Sequence, residues 1–155
     1  MEDVKFVSRF RTAIGLELRS VEAEIFHFRC EANFTNPNGL KLVFEGGVAL
    51  TVHGAPDGFS LLIRDEPLQT LDMGDAGNVS IENLSETPIW SLVLGARLSK
   101  SLVYADHMQR KPFGFHMEFG VAAVGVWNFG DDLYVYDALP VEALSEEPNV
   151  AVEIA

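Results

Sequence analysis

Cysteine, basic residues and long apolar runs are all scarce in this chain of 155 residues. Its one cysteine, Cys30, excludes an intramolecular disulfide and every multi-cysteine zinc pattern, and it fits a reducing compartment. In the N-terminal segment charged residues interrupt the apolar ones every few positions, whereas a signal peptide or a membrane span has an uninterrupted apolar run. With 48% hydrophobic residues, the chain predicts one soluble cytoplasmic domain over 1–155 whose core needs no metal or disulfide.

Basic side chains are outnumbered throughout most of the chain. Eleven Lys and Arg residues face 23 Asp and Glu residues, and the net charge of -12 opposes binding to nucleic acid or an anionic membrane. Residues 65–96 contain six acids and no base, and residues 112–155, with the acidic tail 141–155, contain eight acids and no base. Two interpretations are open: a solvated surface that aids solubility, or a docking surface for a basic protein partner.

Recognised catalytic and metal-binding motifs are also absent from the sequence. Its histidines, at 27, 53, 107 and 116, have no metal-ligand spacing, and neither a Gly-x-Ser-x-Gly elbow nor a phosphate-binding Gly-Lys-Ser/Thr loop occurs. Segment 72–78 has acids at its first and fourth positions but no terminal Glu, so we interpret it as a turn and not as a calcium loop. The sequence therefore predicts no catalytic residue, no metal and no cofactor.

What the sequence does contain is an internal repeat. Gly15–Leu18 matches Gly95–Leu98 at an offset of 80, and three more blocks come after it in the same order at offsets of 75, 74 and 72. The offsets shrink only where turns are expected. The two copies cover about residues 3–68 and 87–140.

Each copy is predicted to be a helix followed by four strands. In the first helix Val4, Val7, Phe10 and Ile14 recur at helical spacing before Gly15. The second has Thr87 as its cap and Pro88 at its first position. The predicted strands are 18–30, 40–45, 48–53 and 60–65 in the first copy, 98–108, 115–119, 122–128 and 133–137 in the second, and an edge strand around 150–154.

Connections this short exclude parallel crossovers and favour antiparallel meanders. We therefore predict a mainly β fold with two short helices, in which two tandem related meanders pack as a sandwich or barrel about a pseudo-twofold axis. Neither half is expected to fold alone, because each leaves one apolar sheet face uncovered.

Alternation within the strands assigns the two faces of each meander. The predicted core consists of Leu40, Leu42, Phe44, Val48, Leu50, Val52, Leu61 and Ile63 with Phe115, Met117, Phe119, Val124, Val126, Leu133 and Val135. The opposite face of the first copy carries Lys41, Glu45, Thr51, His53 and Arg64, which we interpret as an ordinary solvated surface.

The opposite face of the second copy has a different composition. It carries Trp127, Tyr134, Tyr136, His116 and Glu118, hereafter the aromatic patch. Cross-strand aromatic residues with a charged neighbour are typical of binding hot spots, so the patch is the predicted binding site. Whether it is exposed, or covered by a helix, the C-terminal tail or the second subunit of a homodimer, stays open.

Three sequence features resemble small, acidic bacterial proteins of unknown function, some of which are grouped with toxin-immunity proteins. They are the paired Gly-x-x-Leu starts at Gly15 and Gly95, the hairpin Phe44–Gly47, and the turn Asn128–Val135. The resemblance implies a non-enzymatic protein that blocks a partner, and it supplies no catalytic residue.

Two functions are therefore expected. The first is an immunity-like interaction protein that docks a basic protein partner through an acidic and aromatic surface. The alternative is a small-ligand-binding or hydrolytic β-barrel whose pocket is lined by His116, Asp131 and Tyr134.

Overall fold

The computed structural model describes residues 2–106, 111–120, 122–129, 132–137 and 149–154. The helices are α1 (Glu2–Ala13) and α2 (Pro88–Ser91). The strands are β1 (Leu18–Phe28), β2 (Glu31–Ala32), β3 (Gly39–Phe44), β4 (Ala49–Gly54), β5 (Leu61–Arg64), β6 (Leu71–Asp72), β7 (Asn78–Asn83), β8 (Lys100–Asp106), β9 (Pro112–Glu118), β10 (Ala123–Phe129), β11 (Asp132–Tyr136) and β12 (Asn149–Ile154). The prediction of a mainly β fold with two short helices is confirmed.

The strands form two antiparallel sheets. Sheet 1 has the order β5-β4-β3-β1-β7-β6, with β2 paired to β1, and sheet 2 has the order β11-β10-β9-β8-β12. In each sheet a four-stranded meander is followed by a later strand that returns to pair with the first one, β7 with β1 and β12 with β8. The strand predicted near the C-terminus is therefore present, at the edge of sheet 2, whereas 141–148 of the predicted acidic tail lie outside the described residues.

The pairing registers of the two meanders correspond to each other. Gly39 of β3 pairs with Glu24 on one side and His53 on the other. Gly114, which the sequence matches to Gly39, pairs in the same way with Tyr104 and Trp127. Both glycines therefore occupy the same place in their sheets.

Backbone hydrogen bonds between the two copies are also reciprocal. The amide of Gly15 donates to the Leu98 carbonyl at 2.7 Å, and the amide of Gly95 donates to the Leu18 carbonyl at 2.8 Å. Between them Glu17 and Arg97, which are matched positions, form an isolated antiparallel bridge. The pseudo-twofold axis stays a prediction, and this reciprocity supports it.

The main hydrophobic core joins the two sheets. Thirteen of the predicted core side chains are buried in it, while Val48 and Val135 are partly buried against it. From α1, Phe6 and Phe10 enter the same core, and the ring of Phe10 lies 4.7 Å from that of Phe115. Helix α1 therefore closes the core between the sheets.

Strand β7 was not predicted. On the core-facing side of sheet 1 it carries Ser80 and Glu82, which pair with Ile25 and Ala23 of β1. Its apolar residues, Val79 and Ile81, lie on the other face. The strand therefore lacks the apolar core face by which the others were recognised.

Thr87 occupies the N-cap position of α2, as predicted, but its side chain does not cap the helix. Its hydroxyl donates to the Leu84 carbonyl at 2.6 Å and makes no side-chain cap bond to α2. Pro88 does stand at the start of the helix, as predicted. Within the described residues, neither helix is long and apolar enough to cross a membrane.

The connection from β5 to β6 spans the width of sheet 1. These strands lie at opposite edges of the sheet, so residues 65–70 cross it on its outer face, the face turned away from the core. This segment, hereafter the strap, buries Leu68, and its Gln69 amide donates to Glu24 of β1 at 2.8 Å. The outer face of sheet 1 is therefore partly roofed by the chain itself.

Candidate functional site

The aromatic patch lies on the outer face of sheet 2, in two adjacent rows of that sheet. Trp127 pairs directly with Tyr134, and the next row aligns His116 with Tyr136 across Gly125. Glu118 lies two residues after His116 on β9. The predicted cross-strand neighbours are thus brought together.

Burial divides the patch. Trp127 is 0% exposed and His116 is 5% exposed, whereas Tyr134 and Tyr136 are half-buried and the Glu118 side chain is 43% exposed. In this structure a partner could therefore reach the tyrosines and Glu118 but not the indole of Trp127.

Trp127 belongs to a second hydrophobic cluster, separate from the main core. Its indole packs against Tyr104 with ring centroids 4.8 Å apart, and Phe113 completes the buried cluster. Phe59, from the turn between β4 and β5, contacts the Phe113 ring at 5.3 Å. A turn of the first copy therefore helps to cover the aromatic residues of the second.

Glycine makes room for the indole. A Cβ atom on Gly114 would lie 2.2 Å from the Trp127 ring, and one on Gly125 would lie 2.8 Å from Nε1 of the same ring. Contacts this short are not tolerated, so the ring occupies the space that two ordinary side chains would fill. This packing is typical of a structural aromatic residue.

Of the three residues in the alternative prediction, the structure describes His116 and Tyr134, which lie in different rows of sheet 2. The His116 Nε2 atom lies 3.9 Å from the Glu118 carboxylate, and within the described residues its buried Nδ1 atom has no hydrogen-bond partner. Burial lowers the pKa of His116, which favours the neutral ring. Asp131, the proposed carboxylate, lies outside the described residues.

On sheet 1, by contrast, the structure reveals a site that the sequence did not predict. His53 Nε2 and Glu24 Oε1 are 2.9 Å apart, and they meet over Gly39, where a Cβ atom would lie 2.6 Å from the imidazole. The pair lies beneath the strap, in a cavity of about 380 Å³ that Arg64 and Gln69 also line.

The charge state of Glu24 depends on these contacts. Burial raises its pKa, but the hydrogen bonds with His53 and with the Gln69 amide outweigh burial, so the net pKa is lowered. Glu24 is therefore held as a carboxylate that ties the strap to β1. His53 uses Nε2 for this contact, and its Nδ1 atom is buried. We call the Glu24–His53 pair the latch, because the same carboxylate also accepts the hydrogen bond from the strap.

The interpretation of this outer face as an ordinary solvated surface is therefore wrong. Thr51 is buried, His53 lies in the cavity beneath the strap, and a second cavity opens beside Lys41 and Arg64. Local alternation could not show this, because the strap that roofs the sheet lies outside the alternating strands.

A further surface feature lies near the β6 edge of sheet 1. Four large apolar side chains are exposed there: Phe28 (41%), Leu71 (55%), Met73 (38%) and Ile81 (38%), hereafter the edge patch. Leu71 pairs with Val79, which pairs in turn with Phe26 of β1, so the patch spans β6, β7 and β1.

The surroundings of the edge patch are mainly acidic. Asp72 and Asp75 lie in the β6–β7 hairpin, and Glu31 pairs with Phe28. A cation, Arg29, stacks on Phe28 with its guanidinium 5.1 Å from the ring. The sequence signal for this surface was the base-free acidic stretch 65–96. The apolar residues of the edge patch could be recognised only after the structure had shown where β6 and β7 lie.

Metal-binding groups are not assembled in the described residues, where no three His, Cys, Asp or Glu side chains are grouped to hold an ion. Segment 72–78 forms a tight hairpin with a short 3-10 turn at Gly74–Ala76, in which Asp72 accepts a hydrogen bond from the Gly74 amide. It is a turn, as predicted.

Comparisons with known proteins leave the chain without an assigned family. No family model, curated protein or solved structure matches it.

Proposed function

We propose that this protein is an interaction protein that docks a basic protein partner through the edge patch. The observation that carries the proposal is the exposure of four large apolar side chains along one sheet edge, within and beside a stretch of 32 residues (65–96) that has six acids and no base. Exposed apolar surface rimmed by polar groups marks protein-binding sites, and a mainly acidic rim favours a basic partner.

Geometry favours the edge patch over the aromatic patch as the docking surface. Leu71 of the edge patch is 55% exposed, while Trp127, the largest member of the aromatic patch, is buried. Among the described residues, β7 pairs with β6 at only two positions, so 80–83 have no described strand beside them on that side, where a partner strand can add. The resemblance to immunity proteins implies that binding blocks the partner. We include this blocking role in the proposal.

Site-specific photo-crosslinking in the native host tests this function. A photoreactive residue at Leu71 should capture a partner with a basic surface, and the same residue at Leu92 should not. Leu92 is the matched control because it is equally exposed, at 55%, but lies in the turn after α2.

Charge variants provide the second arm of the test. Asp72→Asn with Asp75→Asn should weaken binding to the captured partner by about tenfold, mainly through slower association, and raised salt should have the same effect. Glu86→Gln, a change in the same base-free stretch but outside the edge patch, should have little effect. Equal capture from Leu71 and Leu92, or equal loss in both charge variants, would contradict the proposal.

A further inference from the structure

Three polar residues stand side by side on the outer face of sheet 1. Lys41 of β3 pairs with Thr51 of β4, and Thr51 pairs with Arg64 of β5. The order places a hydroxyl between an ammonium and a guanidinium group. Directly paired strand residues have their Cβ atoms about 5 Å apart, so all three can contact one small ligand.

A cavity of about 480 Å³ opens over this row. Helix α1 contributes Arg9 and Thr12 to its wall, and the strap contributes Asp65 and Glu66. The volume lies within the range of small-molecule sites, roughly 300 to 1,000 Å³. Three basic and two acidic side chains line it, which makes the lining positive in a chain whose net charge is -12.

Lys41 and Arg64 form no ion pair in the described part of the chain, although acids outnumber bases by two to one. Several other cations are ion-paired: Arg9 and Lys5 with Asp65, Arg19 and Arg97 with Glu17 and Glu45, and Lys111 with Asp57. Lys41 and Arg64 instead converge on the same cavity. Asp65 is paired with Arg9 and Lys5, so Glu66 is the carboxylate of this lining that opposes Lys41 and Arg64. Glu24, in the neighbouring cavity, also interacts electrostatically with Arg64.

We propose that this cavity binds the phosphate group of a small molecule. A guanidinium donates two parallel hydrogen bonds to a phosphate, an ammonium adds a compact positive charge, and a threonine hydroxyl adds a neutral donor. The ligand is small because the net charge repels extended polyanions, whereas within the Debye length of about 8 Å a phosphate experiences mainly the local cations.

Titration with inorganic phosphate at constant ionic strength, followed by amide NMR shifts, tests the proposal on the intact protein. Saturable shifts should centre on Thr51 and Arg64, with a dissociation constant on the order of 1 mM. Arg64→Gln and Lys41→Gln should each weaken binding about tenfold, and Thr51→Val should weaken it several-fold. The melting temperatures of the Lys41 and Arg64 variants should stay near that of the parent, since both side chains reach the surface.

Two further variants separate a built site from general attraction. Arg11→Gln removes an equal charge from α1 outside the cavity and should leave binding unchanged. Glu66→Gln removes the opposing carboxylate and should tighten binding about two- to threefold. Absence of saturable shifts, or equal weakening by Arg11→Gln and Arg64→Gln, would overturn the proposal.

Discussion

At the scale of single residues, two matched glycines support different chemistry on the two sheets. Gly39 leaves room for the contact between Glu24 and His53, and Gly114 leaves room for the Trp127 indole. The backbone arrangement is the same, so the difference comes from the flanking side chains. One copy builds a polar latch at this place, and the other builds an aromatic cluster.

Replacing Trp127 by Ala should destabilise the fold by about 3 to 5 kcal/mol, because the indole is buried and its removal leaves a large cavity. Denaturant unfolding measures the change. Tyr134→Ala is the control: Tyr134 pairs with Trp127 but is only half-buried, so its loss should cost clearly less. A Trp127→Ala variant of parental stability would instead support a role of this residue in binding a partner.

Asp57 should make stability depend on pH in the acidic range. Burial alone would raise its pKa, but hydrogen bonds from Ser60 and Phe59 and the charge of Lys111 lower it from 3.8 to about 2. A lowered carboxyl pKa contributes stability that is present above about pH 4 and is lost as the pH falls towards 2.

The Asp57 contribution is expected to be about 1 to 2 kcal/mol after allowance for solvent screening. Unfolding free energies of the parent and of Asp57→Asn, measured between pH 5 and 2, should converge at the acid end. Asp75→Asn, on the exposed hairpin, is the control and should leave the pH profile unchanged. A constant difference between the parent and Asp57→Asn would contradict the assignment.

At the scale of elements, the strap is held at both ends, since Asp65 is ion-paired with Lys5 and Arg9 of α1 and Gln69 is bonded to Glu24 of β1. The Glu24 carboxylate of β1 accepts a hydrogen bond from the Gln69 amide of the strap and also contacts His53 of β4. Leu68 is buried beneath the strap. The strap determines the shape of both outer-face cavities, since Glu66 and Pro67 line each of them.

Glu24→Ala should therefore loosen the strap and cost about 2 kcal/mol or more, because it leaves the Gln69 amide and the imidazole without their acceptor. Hydrogen exchange should show faster exchange at Gln69, while amides of sheet 2 keep their protection relative to global unfolding. Glu22→Ala, on the same face of β1, is the matched control. Unchanged exchange at Gln69 would show that the strap is held by other contacts.

At the scale of the whole molecule, the two copies depend on each other. The main core draws side chains from both sheets and from α1. The turn at Asp57–Ser60 of the first copy is bonded to the second, since the buried Asn128 side chain donates to the Ser60 carbonyl at 2.8 Å. Separation would expose these surfaces to water.

Fragments 1–86 and 87–155 should therefore each fail to give a cooperative unfolding transition, and mixing them should restore one. Circular dichroism and amide NMR of each fragment and of the mixture measure this. The intact chain is the reference. A cooperative transition in either isolated fragment would show that one copy is an independent domain.

Much of the fold was predictable because its signals are local. Alternating apolar residues at Leu40–Phe44 and Phe115–Phe119 marked β3 and β9 and assigned their core faces correctly. The collinear repeat blocks anticipated the matched registers of Gly39 and Gly114. Strand β7 escaped because its core-facing side is polar, at Ser80 and Glu82.

By itself, the sequence determined the fold class, the order of the meanders, the core residues and the acidity of the chain, because these depend on residues close together along it. The tertiary structure decided which outer-face residues are accessible. Burial of Trp127, the Glu24–His53 latch and the cavity beside Lys41 and Arg64 all arise where distant segments cover a sheet. Alternation assigns a side chain to a face, but only the packing of a remote turn or strap decides whether that face meets water.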